Sequence, residues 1–263
     1  MARPTVALLT DFGTRDHYAG TLKGVVLSVC PDATLVDIGH DIPAHDVIAG
    51  AFELAACYRY FPAGTIFLVV VDPGVGSSRR GIAADVGDYR FVAPDNGVLS
   101  AVFLESPPKR VVELTERKYA RPTVSRTFEG RDRFAPAAGF LAKGVALVSL
   151  GKSIKDFHRI DLPRPALRGG ELVGEVVRVD RFGNLITNID RRAFEQFADQ
   201  GSIAVVAGDR EVPRIVATYA DAPAGELCAL FGSTDHLEIA INAGDAARTL
   251  GLGRGAAAKV RLV

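Results

Sequence analysis

Residues Ile66-Phe67-Leu68-Val69-Val70-Val71 are continuously apolar and mostly β-branched, and they run straight into Asp72-Pro73-Gly74. A strand with no polar alternation is one buried on both faces. Burying both faces takes helices above and below the sheet, so this run alone points to an α/β layered domain with a mostly parallel sheet. The flanking segments agree. Residues 6–9 form a short apolar run ending at Thr10-Asp11-Phe12-Gly13, and residues 19–29 carry a helical pattern stopped by Cys30-Pro31. Residues 35–38 predict a second strand. Residues 46–61 predict a helix with an Asp cap, broken by Pro62 and Gly64. Strands at 82–86 and 90–93 pair around Gly87-Asp88, Asp95-Asn96-Gly97 opens a helix to Leu104, and residues 134–142 form another helix.

The pattern changes at Asp161-Leu162-Pro163-Arg164-Pro165 and Gly169-Gly170, a linker signal. Beyond it the runs are short and strand-like: 172–179, 185–189, 203–206, 227–231, 237–241 and 258–262. Gly, Asp and Asn separate them, the cadence of a small antiparallel barrel or sandwich. The expected division is an α/β domain over 1–163 and an all-β domain over 168–263.

Charge and cysteine usage exclude several function classes. The 31 basic and 31 acidic side chains cancel, which leaves no electrostatic footprint for nucleic acid or for a charged membrane surface. No apolar run approaches the roughly 20 residues of a spanning helix, and the first residues are too brief an apolar run for a signal peptide. Cys30, Cys57 and Cys228 are far apart and odd in number; they are expected to be buried free thiols in a cytoplasmic protein. The five histidines show no metal-ligand spacing, so no metal is expected. No G-x-S-x-G elbow is present, which disfavours a serine hydrolase.

Four segments carry candidate chemistry. Asp11 stands where the first strand ends, where open α/β sheets bind ligands, and its carboxylate suits a ribose diol; it would equally cap the next turn. Asp16 is a weaker version of the same case. Asp72 follows the most buried strand, with Arg79 seven residues on across a glycine-rich loop that lacks the phosphate-loop spacing. A carboxylate there can take a proton from water and an arginine can steady negative charge; the alternative is a surface ion pair. Thr127-Phe128-Glu129-Gly130-Arg131-Asp132 lies in a charged run, ordinarily a solvated face. In Asp180-Arg181-Phe182-Gly183-Asn184, Phe182 offers a ring to a planar base and Asn184 an amide, although a hairpin turn explains the segment as well.

Taken in order along the chain, these segments resemble one family, the S-adenosyl-L-methionine (SAM) hydroxide adenosyltransferases, or adenosine-forming SAM hydrolases, relatives of the fluorinase and chlorinase. The resemblance rests on the opening Thr10-Asp11-Phe12-Gly13, Cys30-Pro31-Asp32, Asp72-Pro73-Gly74-Val75-Gly76 and Ala93-Pro94-Asp95-Asn96-Gly97. It continues through the segment from Phe182 to Ile189, Gly232-Ser233, and Leu237-Glu238-Ile239-Ala240. It implies an α/β domain followed by a β-barrel domain, and a homotrimer whose sites lie between subunits. The implied reaction is in-line attack of water at C5′ of SAM, giving adenosine and methionine without a cofactor. It also implies that Asp11 and Asp16 bind the ribose region, with His45 near the ligand. Phe182 and Asn184 would contact adenosine. Asp180, Ser233, Glu238 and Ile241 would surround the methionine and adenine ends.

Asp72 and Arg79 match the hydrolase branch; the halogenases carry tyrosine at the position of Asp72 and serine at that of Gly130. Glu129 departs from the family, which usually has histidine there, in a water-binding set with Asp72 and Arg79. Two neighbouring carboxylates tend to share a proton, so hydrolysis with altered rate and pH dependence is expected. The alternatives are a SAM- or adenosine-binding protein that has lost catalysis and, further off, an adenosyl halide synthase.

Overall fold

The computed structural model describes residues 3–263. The chain forms two compact units, Met1–Leu162 and Pro163–Val263. The first contains β1 (Thr5–Thr10), α1 (Tyr18–Val29), β2 (Thr34–Gly39), α2 (Val47–Cys57), β3 (Ile66–Val70), β4 (Gly81–Val86), β5 (Tyr89–Pro94), α3 (Ser100–Glu105), β6 (Arg110–Leu114), α4 (Ala135–Ala142) and β7 (Gly151–Ile154).

Its seven strands lie in the order β2-β1-β3-β5-β4-β6-β7. The first three junctions are parallel and the last three antiparallel. The sheet is therefore mixed, which corrects the mostly parallel expectation. The tight turn at Gly87-Asp88 reverses β4 onto β5, and β6 and β7 extend that antiparallel half. Successive residues of the buried strands serve opposite cores, as the pleat dictates. Val6, Leu8, Leu68 and Val70 pack with Leu22 of α1 and Leu141 of α4. Ala7, Leu9, Phe67 and Val69 pack with Leu54 of α2 and Val102 of α3. This two-sided burial is why β1 and β3 lack polar alternation.

From β1 the chain passes to β2 on one side and then to β3 on the other. That reversal of strand order opens a crevice at the carboxyl ends of β1 and β3. Thr10 and Val70 are register partners there, so Asp11 and Asp72 leave the sheet at the same end.

The second unit contains β8 (Ala166–Arg168), β9 (Glu171–Val179), β10 (Leu185–Asp190), α5 (Arg191–Ala198), β11 (Ile203–Ala207), β12 (Arg210–Val212), β13 (Leu227–Phe231), β14 (His236–Ile241), α6 (Ala246–Leu250) and β15 (Ala257–Leu262). Every strand pairing is antiparallel, in the order β12-β11-β15-β9-β10-β14-β13 with β8 on β9. A single bridge between Ile215 and Ala229 nearly closes this barrel-like sheet. Leu185, Leu237, Ile239 and Val260 form its core, joined by Phe194 and Phe197 of α5. The Asp190 side chain caps α5, accepting from the Ala193 amide at 2.7 Å.

The helix expected to open at Asp95-Asn96-Gly97 begins instead at Ser100: Gly97 holds φ +91°, outside the helical region, and the Asp95 and Asn96 side chains are bonded to Arg80 and to the Val71 carbonyl. Cys30 and Cys228 are buried and Cys57 is half-buried, its thiol donating to the Leu54 carbonyl. Among the described residues no helix is long and apolar enough to cross a membrane.

Candidate active site

In the first unit, three sequence-predicted residues converge at the end of β3. The Arg79 guanidinium donates to both oxygens of Asp72, from Nε to Oδ1 at 2.9 Å and from Nη2 to Oδ2. Its remaining nitrogen, Nη1, lies 2.6 Å from Glu129 Oε2, in an ion pair aligned too poorly for a hydrogen bond. The three side chains are only 5–10% exposed. This is a buried, bidentate cluster rather than a loose surface pair, and such clusters hold their geometry. Arg79 also stacks on Phe134, its guanidinium carbon 5.1 Å from the ring centre.

The charge balance at this cluster is one cation against two carboxylates. Burial pushes the Asp72 carboxyl above the ordinary aspartate value. Arg79 opposes that shift, while the charges of Glu129 and Asp11 add to it. A carboxylate raised in this way is a better proton acceptor than a solvated one.

Two loops are locked together to make the cluster. Gly76 has φ +76°, and a Cβ there would overlap the Arg126 carbonyl oxygen. Arg126 Nη2 in turn donates to the Gly76 carbonyl at 3.1 Å. The charged run around Glu129 is thus not the solvated face its composition suggests. Glu129 is buried, and Asp132 is fully buried, held by both nitrogens of the Arg131 fork and by the Ser125 amide. We expect Gly76→Ala to destabilise the chain by about 1–3 kcal/mol through combined backbone strain and overlap. Turnover should fall with it, since Arg79 rides on the same loop; urea melts and steady-state rates check both.

The Ala93-Pro94-Asp95-Asn96-Gly97 segment braces the same place. Asn96 Nδ2 donates to the Val71 carbonyl at 2.8 Å, fixing the residue before Asp72. Asp95 accepts from Arg80 Nε at 2.8 Å, fixing the residue after Arg79. Neither role is legible from spacing alone.

Asp11 lies in the adjoining loop, its Oδ2 accepting from the His45 amide at 2.9 Å. His45 is exposed and holds φ 68°, so its main chain rather than its ring makes this contact. Asp16 is exposed in the same loop. Among the described residues no group of three or more His, Cys, Asp or Glu side chains is placed to hold a metal ion.

The second unit gathers its own set. Asp180 Oδ1 accepts from the amides of Phe182 and Asn184, both at 2.9 Å, and Asp180 Oδ2 accepts from Asn184 Nδ2 at 3.0 Å. The resulting turn presents the Phe182 ring 74% exposed. Glu238 is buried on β14 and accepts from the Tyr219 hydroxyl at 2.7 Å. Burial raises its pKa, Asp180 adds to that and the Tyr219 hydroxyl opposes it. A Cβ at Gly232 would overlap Glu238 Oε1, so a side chain there would displace that carboxylate. Ser233 is exposed in the β13–β14 turn, whereas the Ile241 side chain belongs to the barrel core. Sequence reasoning missed Tyr219, which sits in a single 3-10 turn, Tyr219–Asp221, nineteen residues from its partner.

Two family models match the chain. SAM hydroxide adenosyltransferase N-terminal domain covers residues 6–151, and SAM hydroxide adenosyltransferase C-terminal domain covers residues 174–259. The chain is 38% identical over 258 residues to the (R)-S-adenosyl-L-methionine hydrolase of Thermus thermophilus, covering 95% of this chain and 96% of that protein. It is 31% identical over 220 residues to a fluorinase of an Actinoplanes species, covering 73% and 74%. A solved structure of an uncharacterized conserved protein from Thermotoga maritima superposes with a TM-score of 0.92 at 34% identity, covering 97% of this chain and 99% of that one. With both family models matched and the α/β and barrel-like units each in place, the chain belongs to the SAM hydroxide adenosyltransferase family.

Proposed function

We propose that this chain hydrolyses S-adenosyl-L-methionine to adenosine and L-methionine. The observation that carries the proposal is the buried Asp72–Arg79–Glu129 cluster at the carboxyl end of β3. A water oxygen attacks C5′ in line with the C5′–S bond. As the new C–O bond forms, the electron pair of the C–S bond passes to sulfur, and methionine leaves as a neutral thioether. The leaving group therefore needs no acid. The water proton goes to Asp72, whose raised pKa suits it to the task. Arg79 fixes the Asp72 carboxylate and offsets its charge. Asp11 binds the ribose diol, with Asp16 and His45 in the surrounding loops. Phe182 and Asn184 take the adenosine; Asp180, Ser233, Glu238 and the Ile241 main chain take the remaining ends of the substrate. No cofactor has a part in this scheme.

Two carboxylates around one guanidinium favour the sulfonium cation as substrate and neutral water over an anion as nucleophile. Incubation with SAM and chloride, followed by chromatography, tests this directly. Equal amounts of adenosine and methionine are expected, without 5′-chloro-5′-deoxyadenosine. Recovery of intact SAM from a stoichiometric complex would make the chain a binding protein, and the chlorinated product would make it a halide synthase. We further propose a homotrimer as the working assembly, which sedimentation analysis checks; a fully active monomer would exclude it.

Burial is the main cause of the raised Asp72 pKa, and the charge of Glu129 adds to it. Glu129→Gln should therefore move the acid limb of kcat/KM to lower pH, because Asp72 loses its proton more readily. Glu129→His, which restores the residue the resemblance implies, should raise turnover. An unchanged profile in Glu129→Ala would remove Glu129 from the chemistry.

A further inference from the structure

His40 is 5% exposed, and nothing in the proposed reaction uses it. Its ring joins a chain of four side chains. Thr10 Oγ1 lies 2.9 Å from His40 Nδ1, His40 Nε2 lies 3.0 Å from Asp37 Oδ1, and Lys23 Nζ lies 2.6 Å from Asp37 Oδ2. At the inner end, the Phe12 amide donates to Thr10 Oγ1 at 3.2 Å. One proton arrangement satisfies every member. The Asp37 carboxylate only accepts, so Nε2 carries the ring proton and Nδ1 accepts from the Thr10 hydroxyl. Thr10 Oγ1 then has a lone pair free for the Phe12 amide.

The chain ties β1, β2 and α1 together around a single loop, residues 11–17. Asp11 sits between Thr10 and Phe12, the two residues the chain grips. The His40 carbonyl adds a second hold, accepting from the Gly13 amide at 2.7 Å, at a glycine with φ +67°. Thr10 itself is fully buried, which excludes it as a nucleophile despite its histidine and aspartate neighbours.

We propose that Thr10, His40 and Asp37 are positioning residues for Asp11, setting the angle at which its carboxylate meets the ribose diol. The inference rests on the function proposed above and extends it. This hydrogen-bonded chain acts on ribose recognition through Asp11 and makes no bond to Asp72, Arg79 or Glu129.

Thr10→Val keeps the shape and β-branching of threonine and removes only the hydroxyl, and Thr10→Ser keeps the hydroxyl. Thr10→Val should raise KM for SAM and Kd for adenosine about tenfold while kcat stays within about threefold, because the lost contact is one of ground-state binding. Thr10→Ser should restore both values. In an Asp11→Ala background the same valine substitution should change kcat/KM by less than about threefold, since coupled residues do not add. His40→Asn, which cannot reach Asp37, provides a second variant if the valine protein fails to fold. Equal losses with and without Asp11, a fall in kcat rather than a rise in KM, or unchanged adenosine binding would each overturn the proposal. A wild-type protein that binds adenosine but turns over no SAM would overturn the proposed hydrolysis alone, with the adenosine Kd of the Thr10 variants, read by calorimetry, still deciding the positioning role.

Discussion

Arg79→Met should lower the unfolding free energy at neutral pH by about 3–5 kcal/mol, the range for removing one partner of a buried ion pair, and should abolish measurable turnover. Methionine approximates the volume of arginine and can still lie on Phe134, so packing is largely kept. The loss is electrostatic. Asp72 and Glu129 are each nearly enclosed and share this one guanidinium, so its removal leaves two carboxylates side by side in a poor solvent. They respond by holding protons more tightly. A carboxyl whose native pKa is raised contributes stability below its unfolded value and loses it as pH rises through the native value. The deficit relative to wild type should therefore shrink as pH is lowered and be largest at neutral pH. Urea melts at several pH values check this. Arg79→Lys should recover little of the activity, because an ammonium cannot grip both Asp72 oxygens as a planar fork does.

Asp72→Asn should reduce kcat by about 10²–10⁴, the usual contribution of a positioned base, with KM for SAM much less affected. The amide keeps the shape of the carboxylate and can still accept from Arg79, but it cannot take the proton that water must lose. The acid limb of the wild-type profile should lie above the ordinary aspartate range, because burial raises Asp72 more than Arg79 lowers it. In the variant that limb should vanish along with the rate. Linkage adds a readout independent of catalysis. Ionising a carboxyl with a raised native pKa opposes folding, so the stability difference between the proteins should shift in favour of Asn as pH rises through that value. A variant with wild-type turnover would remove Asp72 as the base.

The parts of this molecule that were legible in advance share one physical property: their signal is local. Strands β1 and β3 announce themselves as unbroken apolar runs because both faces are buried, and Asp11 and Asp72 follow from the ends of those runs. Asp46 marks the start of α2 because an N-cap needs an acceptor at that one position, and its side chain accepts from the Ala49 amide at 2.9 Å. Strand orientation is local only in part. The turn at Gly87-Asp88 marks β4 and β5 as a hairpin, but nothing in the short runs β6 and β7 says that they extend the sheet antiparallel. Helix α5 carries a local signal that the sequence reading passes over: Phe194 and Phe197 stand three residues apart on one face behind the Asp190 cap, but the helix is only eight residues long.

The site divides in the same way. Arg79 and Glu129 fall beside Asp72 as the family resemblance implies. The run carrying Glu129 looked solvated, however, because composition cannot reveal that Arg131 and Arg121 are spent on the buried Asp132. Thr10 and His40 lie thirty residues apart, and Tyr219 and Glu238 nineteen. Such pairs exist only after the strands that carry them are in register, and no spacing rule reaches them.

The most direct test is a single turnover of SAM by excess protein in ¹⁸O-labelled water, with mass spectrometry of both products. Attack of water at C5′ predicts one ¹⁸O atom in the 5′-hydroxyl of adenosine and none in methionine. Unlabelled adenosine, label in an amino-acid product, or SAM recovered intact would contradict the account.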